Sequence, residues 1–349
     1  MKENTDIKPV TVIIPCRNEE KYISKVLDNV LEQDYPSGKL EVIVVDGDSD
    51  DGTAGIIKNY SEKYLRIKYL NNPQKIVPFA LNKAIKKATG DIIVRMDAHS
   101  EYPLNYISRL VEGLENYDCE NVGGVWITEP ANDSIKARAI AAATSHPFGI
   151  GNAHYRLGVE KPRQVDTVPF GCYRKEVFDK IGLFDEELAR NQDDEFNARL
   201  IKNKGRIFLL PDVKIRYFAR ESLTKTAKMF YQYGLYKPLV NLKVGQPATL
   251  RQFAPPALVS SLVVFGTGSF FSKILFFAFI ACLLIYGVID VIVSALVTVK
   301  NNKSITFFIY LTYIFPLIHI SYGWGYLKGI FRFYIFRKKI HHSKIKINR

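Results

Sequence analysis

Two short segments of the chain place carboxylates directly after runs of apolar, β-branched residues. In the first, Val45 leads into Asp46, and in the second, Val94 is followed closely by Asp97 and His99. Open α/β sheets bind ligands at the carboxyl ends of their strands, so two such strand ends predict one shared crevice. Carboxylates suit a hard divalent cation. The predicted occupant is therefore a nucleotide together with a metal ion.

The acidic run that begins at Asp46 has two other interpretations. An EF-hand loop counted from Asp46 needs Gly at its sixth position and Glu at its twelfth, where the chain has Asp51 and Ile57. That spacing excludes an EF-hand. An acidic turn that caps the next helix is the second interpretation, because Asp51 and Thr53 are common turn and N-cap residues. It stays open beside the ligand-binding interpretation.

The hydrophobic periodicity predicts alternating strands and helices that would position these carboxylates. The predicted elements are a strand at 10–15, a helix at 23–31, a strand at 40–46, a helix at 53–64, a strand at 66–70, a helix at 79–88, and strands at 91–97 and 122–126. Strands that alternate with helices form βαβ units and a parallel sheet. The predicted fold class is therefore α/β.

The loop after the first predicted strand carries no glycine-rich motif. It reads Pro15-Cys16-Arg17-Asn18-Glu19-Glu20. P-loop enzymes need G-x-x-x-x-G-K-[ST] at this place, and dinucleotide dehydrogenases need G-x-G-x-x-G. The sequence therefore argues against both classes, and it weakens a nucleotidyltransferase interpretation for the same reason.

The formal net charge of +13 is distributed in a way that favours a membrane over nucleic acid. Between residues 328 and 349 there are eight Lys and Arg and no acid, directly after a long apolar region. This pattern is typical of a cytosolic tail beside a membrane span. The first apolar run, at 10–15, is too short for a signal-peptide core. We therefore predict no nucleic-acid partner and a catalytic domain in the cytosol.

The apolar C-terminal region predicts a multi-pass protein of the inner (cytoplasmic) membrane. Residues 274–299 and 305–327 are each long enough to span, whereas 255–271 is either a third span or a re-entrant segment. An even number of crossings keeps the basic tail in the cytosol. The predicted domains are a cytosolic catalytic domain at 1–221, a juxtamembrane interfacial region at 222–253, a transmembrane region at 254–327 and a basic tail at 328–349. An ordinary packed helix is the alternative for the juxtamembrane region.

Several motifs, taken in order, resemble the family-2 glycosyltransferases of the GT-A fold. They are the loop from Pro15 to Glu19, the run from Asp46 to Thr53, Asn82, the triplet Asp97-Ala98-His99 and the segment from Asn191 to Leu200. Within the family, the stretches 170–174 and 318–323 are similar to succinoglycan-type exopolysaccharide glucosyltransferases. The resemblance covers roughly residues 8–243 and implies a GT-A (Rossmann-like) nucleotide-sugar-binding domain followed by C-terminal transmembrane helices.

The resemblance implies a role for each motif residue. The implied donor-binding residues are Pro15, Arg17, Glu19, Asp46, Asn82 and Asp97. Asp97 and His99 are the implied ligands of Mn²⁺ or Mg²⁺, and the imidazole shifts the preference toward Mn²⁺. A loop histidine beside a metal held by Asp97 is the alternative for His99. Asp193 is the implied catalytic base, preceded by Gln192 where the family has Glu, and an acidic residue that merely favours a helix N-terminus is its alternative.

One base without a covalent nucleophile inverts the anomeric centre. Processive family members have Q-x-x-R-W where this chain has Gln232-Tyr233-Gly234-Leu235-Tyr236, which favours the addition of one sugar per encounter. The expected reaction moves a sugar, glucose by the resemblance, from a UDP-sugar to a polyprenyl-diphosphate-linked saccharide in exopolysaccharide or cell-surface glycan synthesis. Glycan-assembly proteins are expected as further partners. The alternatives are another nucleotide sugar or lipid acceptor, or a noncatalytic membrane assembly subunit.

Overall fold

The computed structural model describes residues 7–247 and 249–337. They form two compact units, and the chain passes between the units more than once. The first unit holds residues 7–127 and 154–217, and the second holds 128–153 and the described residues from 218 onward. The domain boundaries at 221, 253 and 327 stay predictions. The predicted basic tail, at 328–349, lies outside the described residues from residue 338 onward.

The described elements alternate along the first half of the chain and become long helices in the second. The strands are β1 Val10–Cys16, β2 Leu40–Asp46, β3 Ile67–Asn71, β4 Ile92–Arg95, β5 Ser100–Glu101, β6 Asn121–Glu129, β7 Arg163–Gln164, β8 Cys172–Arg174 and β9 Ile207–Phe218. The helices are α1 Ile23–Leu31, α2 Thr53–Lys63, α3 Val77–Lys87, α4 Tyr106–Asn116, α5 Ile135–Ala143, α6 Pro147–Ile150, α7 His154–Leu157, α8 Glu176–Ile181, α9 Gln192–Lys202, α10 Leu223–Val244, α11 Ala254–Gly268, α12 Lys273–Lys300 and α13 Ile305–Ile330. The elements predicted up to residue 97 are confirmed to within two residues at each end.

The described strands form one mixed sheet in the order β3-β2-β1-β4-β8-β6-β9-β5, with β7 beside β9. Strand β1 is parallel to both β2 and β4, and β2 is parallel to β3. Strand β8 is antiparallel to β4 and to β6. Strands β1, β2 and β4 are rich in Val and Ile because they are buried on both faces, whereas the edge strand β3 is partly exposed. The predicted parallel βαβ arrangement is confirmed for β1 to β4, whereas the predicted strand at 122–126 belongs to the antiparallel part of the sheet.

Helices cover both faces of the parallel part of the sheet. Successive side chains of a strand point to opposite faces, and β1 follows this rule. Ile14 of β1 lies in one hydrophobic core with Leu27 of α1, whereas Ile13 lies in a second core with Leu81 of α3 and Phe196 of α9. With its two faces buried, this part of the sheet can bind a ligand only at the strand ends.

Strand β4 ends earlier than the sequence pattern predicts. The predicted strand runs to Asp97, but the sheet ladder stops at Arg95. The physical reason is that the backbone N–H of Asp97 donates to the side-chain hydroxyl of Tyr102 at 2.6 Å and not to a neighbouring strand. Asp97 therefore belongs to the loop that follows the strand.

The second unit contains two helices long and apolar enough to cross a membrane. Helix α12 has 28 residues and α13 has 26. Most side chains of α12 are exposed, and its buried residues are Asp290, Ser294, Val297 and Thr298. Helix α11 has only 15 residues, fewer than the roughly 20 that span a bilayer.

Glycines allow α10 and α13 to pack in close contact. A Cβ atom placed on Gly325 of α13 would lie 2.2 Å from the carbonyl oxygen of Tyr231 in α10, and one on Gly234 would lie 2.0 Å from the carbonyl oxygen of Tyr322. Small residues let helix backbones approach in this way. Helix α10 is thus packed along α13, as the packed-helix alternative predicts, and its position at a membrane interface stays a prediction.

We expect Gly325→Ala and Gly287→Ala to have opposite effects on stability. At Gly325 the new methyl group meets backbone, so the two helices must separate, at a cost of about 1–3 kcal/mol. At Gly287 of α12, no atom lies within 4 Å of the place that an added methyl group would take, so alanine there gains up to about 1 kcal/mol of helix propensity. Apparent melting temperatures in detergent measure both changes. Equal shifts in the two variants would contradict the close packing of α10 on α13.

Candidate active site

The loops that follow β1 and β2 are joined by hydrogen bonds. The N–H of Asn18 donates to the hydroxyl of Ser49 at 2.9 Å, and the N–H of Asp50 donates back to the side-chain oxygen of Asn18 at 3.1 Å. The N–H of Glu19 donates to the hydroxyl of Thr53 at 2.8 Å. These hydrogen bonds therefore fix the two loops against each other, and the loops carry residues that are predicted to bind the nucleoside.

Asp46 ends β2 with its side chain inside the molecule. The residue is 2% exposed, and its carboxylate accepts hydrogen bonds from the hydroxyl of Ser49 at 2.5 Å and from the N–H of Ser49 at 3.2 Å. The turn interpretation of the acidic run applies to Asp51, whose carboxylate accepts the N–H of Thr53 at 3.0 Å, at the start of α2. Asp46 and Asp51 thus have different local functions in the same run.

Pro15 and Arg17 lie on either side of the end of β1. Pro15 is buried and pairs with Val45 of β2. Arg17 is half-buried, and a Cβ atom on Gly47 would lie 3.1 Å from the Cβ of Arg17. Glycine at position 47 therefore allows the two strand ends to approach, which brings Arg17 close to the end of β2.

Asn82 is bound to protein groups in this structure. Its amide nitrogen donates to the carbonyl of Phe184 at 2.8 Å and to the carboxylate of Glu186 at 2.9 Å, and its oxygen accepts the N–H of Phe184 at 3.0 Å. Both amide donors are thus in use, so Asn82 fixes the segment after α8 against α3. Its predicted contact with the donor stays a prediction.

Arg95 joins the two carboxylates that carry the predicted chemistry. Its guanidinium lies 3.1 Å from Oδ1 of Asp97 through Nε, and 2.5 Å from Oδ1 of Asp193 through Nη1. The Arg95 side chain is 4% exposed, that of Asp97 14% and that of Asp193 21%. The predicted metal ligand and the predicted base therefore lie at one partly open site, although they come from the loop after β4 and from α9.

The environment of Asp193 changes its acidity. Burial raises the pKa of Asp193 above its ordinary value, the neighbouring cation Arg95 opposes that shift, and the negative charges of Asp97 and Asp194 add to it. A carboxylate with a raised pKa is a stronger proton acceptor than an ordinary Asp. The position of Asp193 at the second residue of α9 also satisfies the helix-dipole alternative, and the two roles are compatible.

His99 lies beside Glu19. The distance from Nδ1 of His99 to Oε1 of Glu19 is 3.6 Å, and the Glu19 side chain is 5% exposed. A metal-binding imidazole commonly has a carboxylate at its other nitrogen, which sets the tautomer and the ring orientation. At 3.6 Å the two side chains are neighbours but lie beyond hydrogen-bond distance, so the metal-ligating role of His99 and the donor-binding role of Glu19 stay predictions.

The residues present fit a metal that is held mainly by its substrate. In the part of the chain that the structure describes, no three His, Cys, Asp or Glu residues form a group that could hold a metal ion. Mg²⁺ in phosphate-processing enzymes is typically held by one or two carboxylates together with substrate phosphates and water. With Asp97 and His99 as the predicted ligands, such a site would take its remaining ligands from the donor and water.

Sequence reasoning missed Arg95 as a site residue. The signal was a single cation within the apolar run from Ile92 to Met96. A buried cation requires anionic partners, and Asp97 and Asp193 are those partners here. A charged residue inside a predicted buried strand could thus have indicated where the carboxylates meet.

Comparisons with known proteins show which proteins this chain is similar to. Residues 11–182 match the family model described as glycosyl transferase family 2. A Methanococcus voltae protein, dolichyl N-acetyl-alpha-D-glucosaminyl phosphate 3-beta-D-2,3-diacetamido-2,3-dideoxy-beta-D-glucuronosyltransferase, is 29% identical over 93% of this chain and 97% of its own length. Succinoglycan biosynthesis protein ExoA of Rhizobium meliloti is 29% identical over 73% of this chain and 76% of its own length.

A solved structure supports the fold. The mannosyltransferase PcManGT from Pyrobaculum calidifontis, solved in complex with GDP-Man and Mn²⁺, superimposes with a TM-score of 0.59 and 21% identity, over 93% of this chain and 91% of that chain. At this identity the likeness concerns the fold alone. Residues 11–182 therefore match a glycosyltransferase domain of family 2, and the described chain has the GT-A fold.

Proposed function

We propose that this protein is an inverting, metal-dependent hexosyltransferase. It moves one sugar, glucose by the resemblance to succinoglycan-type enzymes, from a UDP-sugar to a polyprenyl-diphosphate-linked saccharide. The observation that carries the proposal is the meeting of Asp97 and Asp193 at the guanidinium of Arg95. A donor-side carboxylate and an acceptor-side carboxylate at one site are what direct displacement at a sugar carbon requires.

The two carboxylates have different tasks in this reaction. Asp193 accepts the proton of the acceptor hydroxyl as that oxygen attacks the anomeric carbon. The bond between that carbon and the nucleoside diphosphate breaks in the same displacement. No covalent sugar-enzyme bond forms, so the anomeric centre inverts and an α-linked donor gives a β-linked product.

The leaving diphosphate gains negative charge that the protein must stabilise. Asp97 and His99 would hold Mn²⁺ or Mg²⁺, and the bound cation supplies electrostatic stabilisation of the diphosphate. Glu19, whose Oε1 lies 3.6 Å from Nδ1 of His99, would help to orient that ring. Asp46, whose carboxylate accepts hydrogen bonds from Ser49 at the end of β2, would contact the base of the nucleotide.

Two features favour a lipid-linked acceptor. Helices α12 and α13 are long and apolar enough to cross a membrane, which would keep the catalytic domain beside lipid substrates. The Methanococcus relative is named for a dolichyl-linked substrate, and the Rhizobium relative is named for succinoglycan biosynthesis. A role in exopolysaccharide or cell-surface glycan synthesis follows, with glycan-assembly proteins as further partners.

A donor panel tests this function. Purified protein in lipid nanodiscs is given radiolabelled UDP-glucose, UDP-galactose, UDP-N-acetylglucosamine or GDP-mannose, each with lipid-linked saccharides extracted from membranes. We expect one labelled lipid product with UDP-glucose and equal release of UDP, and the Asp193→Asn variant serves as the inactive control. Transfer from another nucleotide sugar would show that this sugar, and not UDP-glucose, is the donor. The absence of any nucleotide release would favour the noncatalytic assembly subunit.

Reporter fusions test the predicted topology. With two crossings by α12 and α13, a reporter fused after Arg349 should be active only in the cytosol, since basic segments are retained there. A reporter inserted between Asn302 and Lys303, in the turn that joins the two helices, should be active only outside the cytosol. The same location for both reporters would contradict two crossings, and an external C-terminus would support α11 as a third span.

A further inference from the structure

The guanidinium of Arg95 makes contacts of unequal geometry with its two partners. Two nitrogens of Arg95 contact Asp97, with Nε at 3.1 Å from Oδ1 and Nη2 at 3.5 Å from Oδ2. Only Nη1 of Arg95 contacts Asp193. One planar group thus spans two carboxylates that lie on different elements of the fold.

Arg95 is itself fixed from several directions. Its backbone N–H donates to the carbonyl of Gly171 at 3.0 Å, and its guanidinium carbon lies 5.4 Å from the centre of the Phe170 ring. Phe170 has a φ of 52°, a value that costs energy for a residue other than glycine. The hydroxyl of Tyr106 donates to the Phe170 carbonyl at 2.9 Å and holds that conformation. The guanidinium therefore has little freedom to turn.

We propose that Arg95 is the positioning residue of this site, which holds the carboxylates of Asp97 and Asp193 at a constant separation through its rigid fork. This inference rests on the proposed function and adds a residue to it. Because the donor lies on the side of Asp97 and the acceptor on the side of Asp193, their separation determines whether the attacking hydroxyl reaches the anomeric carbon. Small errors in such distances reduce turnover strongly.

The geometry requires arginine and not simply a positive charge. A guanidinium presents its N–H donors in a fixed plane, whereas the ammonium of Lys is a point charge on a flexible stem. A Lys at position 95 can pair with one carboxylate at a time and leaves the other free to rotate. The charge of the buried cation would be kept while the constant separation is lost.

Arg95→Lys is the decisive variant, and Arg109→Lys is its matched control. Arg109 also contacts two carboxylates, those of Glu112 and Asp212, but its side chain is 32% exposed, against 4% for Arg95. We expect Arg95→Lys to lower kcat by at least roughly 10-fold with the KM for the donor within about 3-fold of wild type, and Arg109→Lys to change neither. An unchanged kcat in Arg95→Lys would overturn the proposal. Parallel losses of kcat and donor affinity would also overturn it, because they would make Arg95 a donor contact.

A second variant keeps the test valid if Arg95→Lys does not fold. Phe170→Leu leaves every charge in place and removes the ring against which the guanidinium lies, a ring that also packs against Trp126 and Tyr102. We expect kcat to fall again while the donor KM stays near wild type. Wild-type kcat in a folded Phe170→Leu protein would contradict an orienting role for this contact and the proposal with it.

An equilibrium measurement separates this proposal from the proposed function. If wild type releases no nucleotide with any donor, the proposed function fails, and melting temperatures then decide the role of Arg95. We compare Arg95→Met, Asp193→Ala and the double variant in detergent, since each single change removes the contact between the two side chains. A combined shift smaller than the sum of the single shifts supports a fixed pair. Additive shifts would show that Arg95 does not hold Asp193.

Discussion

Asp193→Asn is expected to reduce sugar transfer by roughly 100- to 10,000-fold, the usual contribution of a positioned general base. Asparagine has nearly the same shape as aspartate, and its side-chain oxygen can still accept the hydrogen bond from Arg95. It cannot take a proton from the acceptor hydroxyl. The affinity for the donor should therefore stay close to wild type, and binding of the UDP-sugar together with turnover measures both quantities.

Asp194→Asn is the matched control for this prediction. Asp194 is the next residue of α9 and carries the same charge at the same helix terminus. A helix-dipole role would be disturbed about equally by either substitution, since each removes one negative charge from the first turn. Substantial transfer by Asp193→Asn, with loss of transfer by Asp194→Asn, would move the base to Asp194.

Asp97→Ala is expected to abolish both metal-dependent donor binding and turnover. Asp97 is the carboxylate predicted to hold the cation against the donor diphosphate, and the loop after β1 offers no glycine-rich cradle in its place. Its removal also leaves Arg95 with one anionic partner, Asp193. Donor binding measured with and without Mn²⁺ distinguishes this loss from unfolding, which circular dichroism monitors separately. Full activity in the presence of a chelator would overturn the metal mechanism.

Two His99 variants determine whether that residue binds the ion. If it does, His99→Ala should have low turnover with either metal. His99→Asp should keep its turnover, with the metal preference moved from Mn²⁺ toward Mg²⁺, because the site then offers only oxygen ligands. The aspartate would also face Glu19, so donor binding is measured across a range of metal concentrations. An unchanged metal profile in both variants would make His99 a bystander beside Asp97.

The strands and helices that carry the site could be predicted because their signals are local. Strand β2 begins and ends where the run of Val and Ile predicts, and α1 buries the predicted stripe of Ile23, Val26, Leu27 and Val30. The end of β4 could not be predicted in this way. The backbone of Asp97 leaves the sheet for the hydroxyl of Tyr102, a partner that hydrophobic periodicity does not reveal.

The sequence by itself determined the α/β alternation, the order of the carboxylate-bearing loops and the apolar C-terminal helices. Each of these features depends on residues that are close together in the sequence. Only the tertiary structure decided which side chains meet. It joined Asp97 to Asp193 through Arg95, placed Glu19 against His99 and tied Asn82 to Phe184. The physical reason is that a contact between residues far apart in the chain depends on how β4, α3 and α9 pack around a common core, and that packing is a property of the whole fold.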